Sequence, residues 1–163
     1  KPFSFGVGAK WIDVTILRAA GLTVEPGEDY AGLFRMLEAR RFDIFSRGVN
    51  EIAVELKENI EKNPDLVIEN KLMLYFPLAR YFFTNRTPEG EKLAQRIEDG
   101  LQRLVRSGEF ERRYQVFKQQ CLVGLNLAGR RLLRITNPTL PPETPLAQKQ
   151  LWETLSKELK ATP

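Results

Sequence analysis

The 163-residue sequence contains no histidine and one cysteine, Cys121. The missing imidazole excludes Ser-His-Asp and Cys-His catalytic groups, and it excludes the common zinc arrangements as well. A lone cysteine forms no disulfide within the chain, and with no imidazole to activate it we interpret Cys121 as an inert buried thiol. Acid-base chemistry would fall to carboxylates, lysine or tyrosine, and the acidic residues are scattered without a close pair. These absences favour binding over catalysis, and we predict no catalytic residue, metal site or cofactor.

Long apolar runs and clustered charges are also lacking. No apolar stretch reaches the roughly 18 residues of a membrane-spanning helix. The 25 Lys and Arg residues against 21 Asp and Glu residues give a net charge of +4, and acidic or apolar neighbours interrupt the arginine pairs. This distribution indicates mild attraction to anions and no nucleic-acid partner. Lys1-Pro2-Phe3 is not a signal peptide, and because a strand pattern begins almost at once we expect a processed or truncated product.

Strand and helix patterns alternate in the first fifty residues. Two helical patterns separate three β-prone segments, at residues 3–7, 22–24 and 42–46. Gly21 suits a left-handed cap after the first helix, Asp29 is placed to cap the second, and Pro26-Gly27 predicts a turn. Two β-α units in succession indicate parallel strands, because parallel strands need a crossover helix. The sequence therefore predicts an α/β fold with a mainly parallel sheet.

Further strands are expected in the middle of the chain, at residues 66–68, 72–76 and 79–84. The last of them contains Tyr81-Phe82-Phe83, which we expect to lie mostly in the core together with Tyr75. Thr87-Pro88 predicts the start of a long helix that ends at Gly108. A second helix follows from Glu109, and it is expected to bury its aromatic residues Phe110, Tyr114 and Phe117.

The C-terminal part of the sequence is less regular. It contains a predicted short strand, a proline-rich irregular segment and a predicted terminal helix, at residues 132–135, 137–145 and 148–159. We divide the chain into an α/β core, a part with return strands and C-terminal helices, and a partly irregular extension, at residues 1–72, 73–120 and 121–163.

The turn after the first predicted strand carries candidate ligand contacts, because ligands of open parallel sheets collect at the carboxyl ends of the strands. Gly8 lets the backbone approach a ligand, Lys10 adds a charge, and Trp11 can stack on an organic group. The structural alternative is that the glycines serve a turn while Trp11 packs under the helix. A dinucleotide fingerprint is disfavoured, because Trp11 stands where its third glycine belongs.

The end of the third predicted strand carries a second set of candidate contacts. Arg47 can hold a carboxylate with two parallel hydrogen bonds, and the structural alternative is a salt bridge to Glu51 or Asp13. Asn50 is more typical of a helix cap than of a ligand contact. The predicted ligand-binding residues are Gly8, Lys10, Trp11, Arg47, Gly48 and Asn50.

The order and spacing of several segments resemble a known family. The segments Phe5-Gly6-Val7-Gly8, Tyr30-Ala31-Gly32-Leu33-Phe34 and Arg41-Phe42-Asp43-Ile44-Phe45 are similar to the second lobe of an extracytoplasmic solute-binding protein. The similarity covers about residues 4–118 and is closest to the polar amino-acid-binding type found with bacterial ABC transporters. The similarity includes the family's C-terminal helices with their "L-x-x-G" turn, which residues 101–110 of this sequence resemble.

This resemblance implies both a fold and a function. The fold would be a periplasmic-binding-protein-like type II lobe, three-layer α/β/α, with the first lobe absent. The function would be binding of a small polar or acidic solute for ABC-type uptake, in the periplasm or another extracytoplasmic location, with an ABC permease as partner. A sensory input domain of a receptor uses the same architecture and stays an alternative.

Two departures from the family change these expectations. Amino-acid-binding relatives usually carry an acidic residue just after the third strand, and Arg47-Gly48 stands there instead, which favours an acidic ligand or none. Without a first lobe, Leu93, Leu101 and Phe117 would form an exposed apolar surface, so we expect a fragment or self-association. A cyclohexadienyl-dehydratase-like enzyme, which would recruit Glu51 and Lys10, and a purely structural protein are the remaining alternatives.

Overall fold

Parallel strands alternate with helices in the computed structural model, which describes residues 2–148, 151–153 and 155–160. The first three strands are β1 (Ser4–Gly8), β2 (Thr23–Gly27) and β3 (Ile44–Phe45). They are followed in turn by the helices α1 (Asp13–Ala19), α2 (Tyr30–Glu38) and α3 (Ile52–Asn59). The strands form a three-stranded sheet in the order β2-β1-β3, and both pairings are parallel. The predicted α/β fold with a parallel sheet is confirmed.

Both helices between these strands end in the same hydrogen-bond pattern. After α1, the Gly21 amide donates to the Arg18 carbonyl at 2.9 Å and the Leu22 amide to the Leu17 carbonyl at 3.1 Å. Gly21 has φ +77°, the left-handed conformation that this C-terminal motif requires and that glycine adopts without strain. After α2 the equivalent left-handed residue is Arg40, with φ 53°.

The start of α2 follows the sequence signal, whereas the predicted turn before it is wrong. The Asp29 carboxylate accepts a hydrogen bond from the Gly32 amide at 2.6 Å, which confirms the cap. Pro26 and Gly27 belong to β2, where they lie opposite Val7 and Gly8. Proline is tolerated there because β2 is an edge strand, so no neighbour needs the missing N–H group.

A second, two-stranded sheet joins distant parts of the sequence. Strand β4 (Leu72–Tyr75) pairs in parallel with β5 (Arg131–Arg134), which confirms two predicted strands. Arg130 fixes this connection, because its buried guanidinium donates to four main-chain carbonyls, those of Glu69, Leu72, Leu125 and Asn126. Residues 66–68 form no strand, so that prediction is wrong.

The hydrophobic core lies between the first sheet and the helices that cover it. Val7, Leu17 and Val24 form its centre, and Leu74 and Ile135 pack against them from β4 and from the residue after β5. Other side chains in the same part of the chain are almost completely buried, namely Phe42, Ile16 and Leu33. At about 25 cal/mol per Å² of buried apolar area, these side chains are the main source of stability.

The described residues divide into two compact units, one formed by the chain up to Leu78 with the part from Leu125 onward, the other by Ala79–Gly124. The second unit contains α4 (Pro88–Arg106) and α5 (Glu109–Leu122), joined through Gly108 with φ 75°. The Thr87 hydroxyl accepts a hydrogen bond from the Gly90 amide at 3.1 Å, which confirms the predicted start of α4.

Aromatic burial in the second unit was predicted wrongly. Residues 79–84 form no strand, and Tyr81, Phe82 and Phe83 are 57%, 71% and 95% exposed. Phe110 and Phe117 are also exposed. Leu93 of α4 is exposed as well, which agrees with the apolar surface expected there. A β-prone run buries its side chains only when a neighbouring strand pairs with it, and no strand in the described part of the chain pairs with residues 79–84.

The C-terminal segment agrees with its prediction in part. Residues 137–145 are irregular, as expected, and the buried Asn137 amide donates to the Pro77 carbonyl at 2.9 Å. A helix was predicted at residues 148–159, and the structure has the short α-helix α6 (Ser156–Lys160) there. Part of that prediction, at Lys149, Gln150 and Thr154, lies outside the described residues.

Candidate functional site

The carboxyl ends of β1 and β3 lie side by side, because β1 is the central strand of the order β2-β1-β3. The chain leaves β1 toward β2 on one side and returns to β3 on the other, which is the topological switch point where open sheets bind ligands. Trp11 follows β1 and Arg47 follows β3, so the topology brings two predicted ligand contacts to one place. This region is the candidate site.

Three aromatic rings surround the Arg47 guanidinium there. Its central carbon lies 4.7 Å from the ring centroid of Trp11, 5.5 Å from that of Tyr30 and 5.4 Å from that of Phe45. Trp11 and Phe45 are stacked, with centroids 6.4 Å apart and an interplanar angle of 11°. We call Trp11, Tyr30 and Phe45 the cage. Each ring contributes about 0.5–2 kcal/mol of cation–π attraction in such an arrangement.

Two glutamates of α3 complete the surroundings of Arg47. Its Nε donates to Glu55 Oε2 at 2.7 Å and its Nη2 to Glu55 Oε1 at 2.5 Å, a bidentate pair. Nη2 also lies 2.9 Å from Glu51 Oε2. The side chains of Arg47 and Glu55 are each 13% exposed, whereas that of Glu51 is 39% exposed. The structural alternative of a salt bridge to Glu51 is thus confirmed, and Glu55 is a partner of Arg47 that the sequence did not predict.

The sequence contained one signal for the missed glutamate. Glu51 and Glu55 are four residues apart, a spacing that places both side chains on one face of a helix. Once Glu51 is considered as a partner of Arg47, Glu55 lies one turn further along that face. Tyr30 was also missed as a site residue, because its spacing with Leu33 and Phe34 is equally typical of a core-facing helix stripe.

Tyr30 and Arg47 both keep their protons around neutral pH. Burial, the hydrogen bond to Glu55 and the charge of Glu55 raise the pKa of Tyr30 to about 12, so its hydroxyl stays protonated. Burial alone would lower the pKa of Arg47, but the hydrogen bond and charge of Glu55 outweigh it and raise that pKa above its ordinary value. The cage therefore holds a permanent cation.

Gly8 makes room for the indole of Trp11. A Cβ atom placed on Gly8 would lie 2.5 Å from Cε2 of the indole, far inside van der Waals contact. The Trp11 amide also donates to the Gly8 carbonyl at 2.9 Å, which closes the turn after β1. Trp11 packs against the core cluster and stays half-buried, so the ring belongs both to the core and to the cage.

The remaining predicted contacts lie around the cage. Lys10 and Asn50 are exposed, in the turns after β1 and before α3. The prediction of Asn50 as a cap is wrong, because α3 begins after Glu51 with no side-chain cap, and the main-chain amides of Glu51 and Ile52 donate to the Gly48 carbonyl instead. Gly48 itself donates weakly to the Glu51 carboxylate at 3.4 Å.

Other parts of the described chain offer fewer converging groups. A shallow depression on α4 takes all its walls from one helix, and it is lined by Glu98, Leu101, Gln102, Val105 and Arg106. Residues 2–148, 151–153 and 155–160 contain no group of three Cys, Asp or Glu side chains placed to hold a metal ion. Cys121 is a half-buried free thiol. No helix within the described residues is both long and apolar enough to cross a bilayer.

Comparisons with protein-family models, with curated proteins and with solved structures find no match for this chain.

Proposed function

We propose that the chain is a ligand-binding lobe of the extracytoplasmic solute-binding type, which takes a small polar solute at the carboxyl ends of β1 and β3. The observation that carries this proposal is the convergence of Trp11, Phe45 and Arg47 at the switch point of a parallel sheet. Aromatic surface with a few fixed polar groups is the usual lining of a small-molecule site.

The local architecture supports the same proposal. The parallel strands, the crossover helices and the glycine-containing turn after β1 are the features that the resemblance implies for a second lobe. Receptors of this kind work by closing two lobes around the solute. In the proposed mechanism the cage and Glu51 form one wall of the cleft, another lobe forms the opposite wall, and an ABC permease receives the solute.

The charges around Arg47 limit the class of solute that this site can bind. Arg47 already donates through Nε and Nη2 to the Glu55 carboxylate, and its Nη2 also lies 2.9 Å from Glu51 Oε2. A third carboxylate on the same guanidinium would meet two like charges. We therefore propose a polar solute and give up the acidic one. A dehydratase would need a free acid-base pair, whereas Glu51 is bonded to Arg47, so the geometry favours binding.

A thermal-shift screen tests this function directly. The panel contains neutral, acidic and cationic polar solutes, each at millimolar concentration, with the wild-type protein and the Trp11→Ala variant. A true ligand raises Tm by mass action, with about 2.7 kcal/mol of stabilisation at one hundred times Kd. We expect Trp11→Ala to lose most of this response.

The control is Phe83→Ala, which removes an aromatic ring that is 95% exposed and outside the cage. It should respond to the solute as the wild type does. The proposal is refuted if no solute shifts the wild-type Tm, or if Trp11→Ala responds as strongly as Phe83→Ala.

A further inference from the structure

The cage has the composition of a receptor for an organic cation. Three aromatic faces and two carboxylates surround one position, and aromatic cages of this kind recognise ammonium and guanidinium groups through the negative faces of the rings. The cation at that position is part of the chain itself. Arg47 therefore shows which chemical group the cage accepts.

The charges in direct contact with Arg47 have the same sign preference. Two carboxylates, those of Glu51 and Glu55, face the single Arg47 guanidinium, which leaves a formal net charge of −1 beside the cage, while the whole chain carries +4. A local surplus of this sign attracts cations to an otherwise basic protein.

The exposures of the two glutamates indicate how a cation from solution would enter. Glu55 is buried with Arg47, whereas the Glu51 side chain is three times as exposed, pairs with Arg47 Nη2 at 2.9 Å and accepts a weak hydrogen bond from the Gly48 amide. Glu51 thus faces solvent at the mouth of the cage. Arg47 lies in the connection between β3 and α3, and its side chain is long and unbranched, so rotation about the side-chain bonds is the movement that would vacate the cage.

We propose that the cage is a subsite for an organic cation, a guanidinium or ammonium group of the solute, which binds by replacing the Arg47 guanidinium between the rings and the two glutamates. This inference rests on the proposed function, since it names the chemical class of the solute at the same site. Arg47 is then an internal competitor that keeps the buried Glu55 paired while the site is empty of solute.

If the solute cation replaces Arg47, the affinity of the cage for that cation should rise when Arg47 is removed. A tethered group competes at an effective concentration of about millimolar, so an external cation binds the wild-type cage more weakly than an emptied one. Removal of Arg47 also leaves Glu55 buried without a counter-charge, a state that demands a cation. We expect Arg47→Ala to bind methylguanidinium roughly tenfold more tightly than the wild type does.

The experiment titrates both proteins with methylguanidinium chloride against sodium chloride of equal ionic strength. Calorimetry gives Kd, and Trp11 fluorescence in a Trp152→Phe background reports the cage. The matched control is Arg134→Ala, because Arg134 lies 4.9 Å from one ring, Tyr75, and has no cage around it. Arg134→Ala and the double variant Arg47→Ala/Glu55→Gln should bind methylguanidinium no better than the wild type.

The outcomes separate this inference from the proposed function. Equal affinities of the wild type and Arg47→Ala overturn the inference, and so does equal binding by Arg47→Ala and its Glu55→Gln double variant. If Arg47→Ala does not fold in buffer, folding that requires methylguanidinium and ignores sodium chloride supports the inference. If neither salt restores folding of Arg47→Ala, the same titration is carried out with Arg47→Gln, and the same outcomes decide. A neutral solute that binds the wild type while no variant binds the cation overturns the inference and leaves the proposed function standing.

Discussion

The contact between Gly8 and Trp11 allows a quantitative test of how the fold builds the cage. A Cβ atom on Gly8 would meet three atoms of the indole first, at 2.5, 2.6 and 2.7 Å. Ordinary carbon contacts lie at about 3.5–4.0 Å, so the indole must move by roughly 1 Å. Gly8 and its strand are buried, and overpacking at such a position costs about 1–3 kcal/mol. We expect Gly8→Ala to lower the free energy of unfolding by about 2 kcal/mol.

The effect of Gly8→Ala on the free energy of unfolding should change sign when the indole of Trp11 is absent. The backbone of Gly8 is not in the left-handed region, so alanine fits it without strain. A Trp11→Ala background lacks the three atoms nearest to this Cβ atom, and alanine restricts the unfolded chain, so we expect a stabilisation of about 0.4–1 kcal/mol. The two backgrounds together give a coupling energy of about 2.4–3 kcal/mol between positions 8 and 11.

Urea denaturation of the four proteins measures this cycle, and Trp11 emission in a Trp152→Phe background shows whether the ring leaves the cage. The displaced indole should lose its contact with Arg47 and become more accessible to a neutral quencher. A cost of Gly8→Ala that is the same with and without Trp11 would refute the reasoning, because the clash would then lie elsewhere.

Three further predictions concern the rest of the fold and the ionisation of the site. Arg40→Gly should stabilise the protein by about 1 kcal/mol in thermal denaturation and Gly21→Ala should destabilise it similarly, because both positions are left-handed C-terminal caps. Arg130→Met should cost about 2–4 kcal/mol in urea denaturation and free β5 for hydrogen exchange, since four carbonyls lose their donor. The folded pKa of Tyr30 is raised to about 12, so the stability that its protonated hydroxyl contributes is present below pH 10 and lost as the pH rises through 12. Tyr30→Phe should show a shallower loss in that window, and an identical pH profile would contradict this assignment.

Short-range signals were sufficient for the order of elements in the first part of the chain. The caps at Gly21, Asp29 and Thr87 depend on residues within one helical turn, so a single sequence contains all the information they need. The alternation of strands and helices has the same character, since each crossover is local. These features determined the parallel sheet and the position of its carboxyl edge.

Errors arose where a distant part of the chain determines the result. Pro26 and Gly27 have turn propensity, yet pairing with β1 holds them in an edge strand. Tyr81-Phe82-Phe83 has strand propensity, yet in the described part of the chain it has no partner strand. Local preference is a weak prior that tertiary contacts override.

The candidate site shows the same division between local and distant information. The sequence placed Trp11 and Arg47 at the ligand edge because each directly follows a strand. The charge state of the site needed the register of α3, which brings Glu55 onto Arg47 from eight residues away. Without Glu55, Arg47 indicates an acidic ligand; with Glu55 and Glu51 in place, the cluster has a surplus of negative charge.

The two roles of Trp11 connect stability to binding. Its indole packs against the core on Gly8 and at the same time faces the Arg47 guanidinium, so movement of the ring by roughly 1 Å weakens both contacts. A cation that replaces Arg47 meets a ring whose position the core has already fixed, which lowers the entropic cost of binding. Arg47 keeps Glu55 paired during the time without solute, so the cage stays formed and does not collapse around a buried charge. For this reason a self-occupied cage can take up a cation by exchange of the Arg47 side chain, and the strands β1 and β3 need not move when the solute arrives.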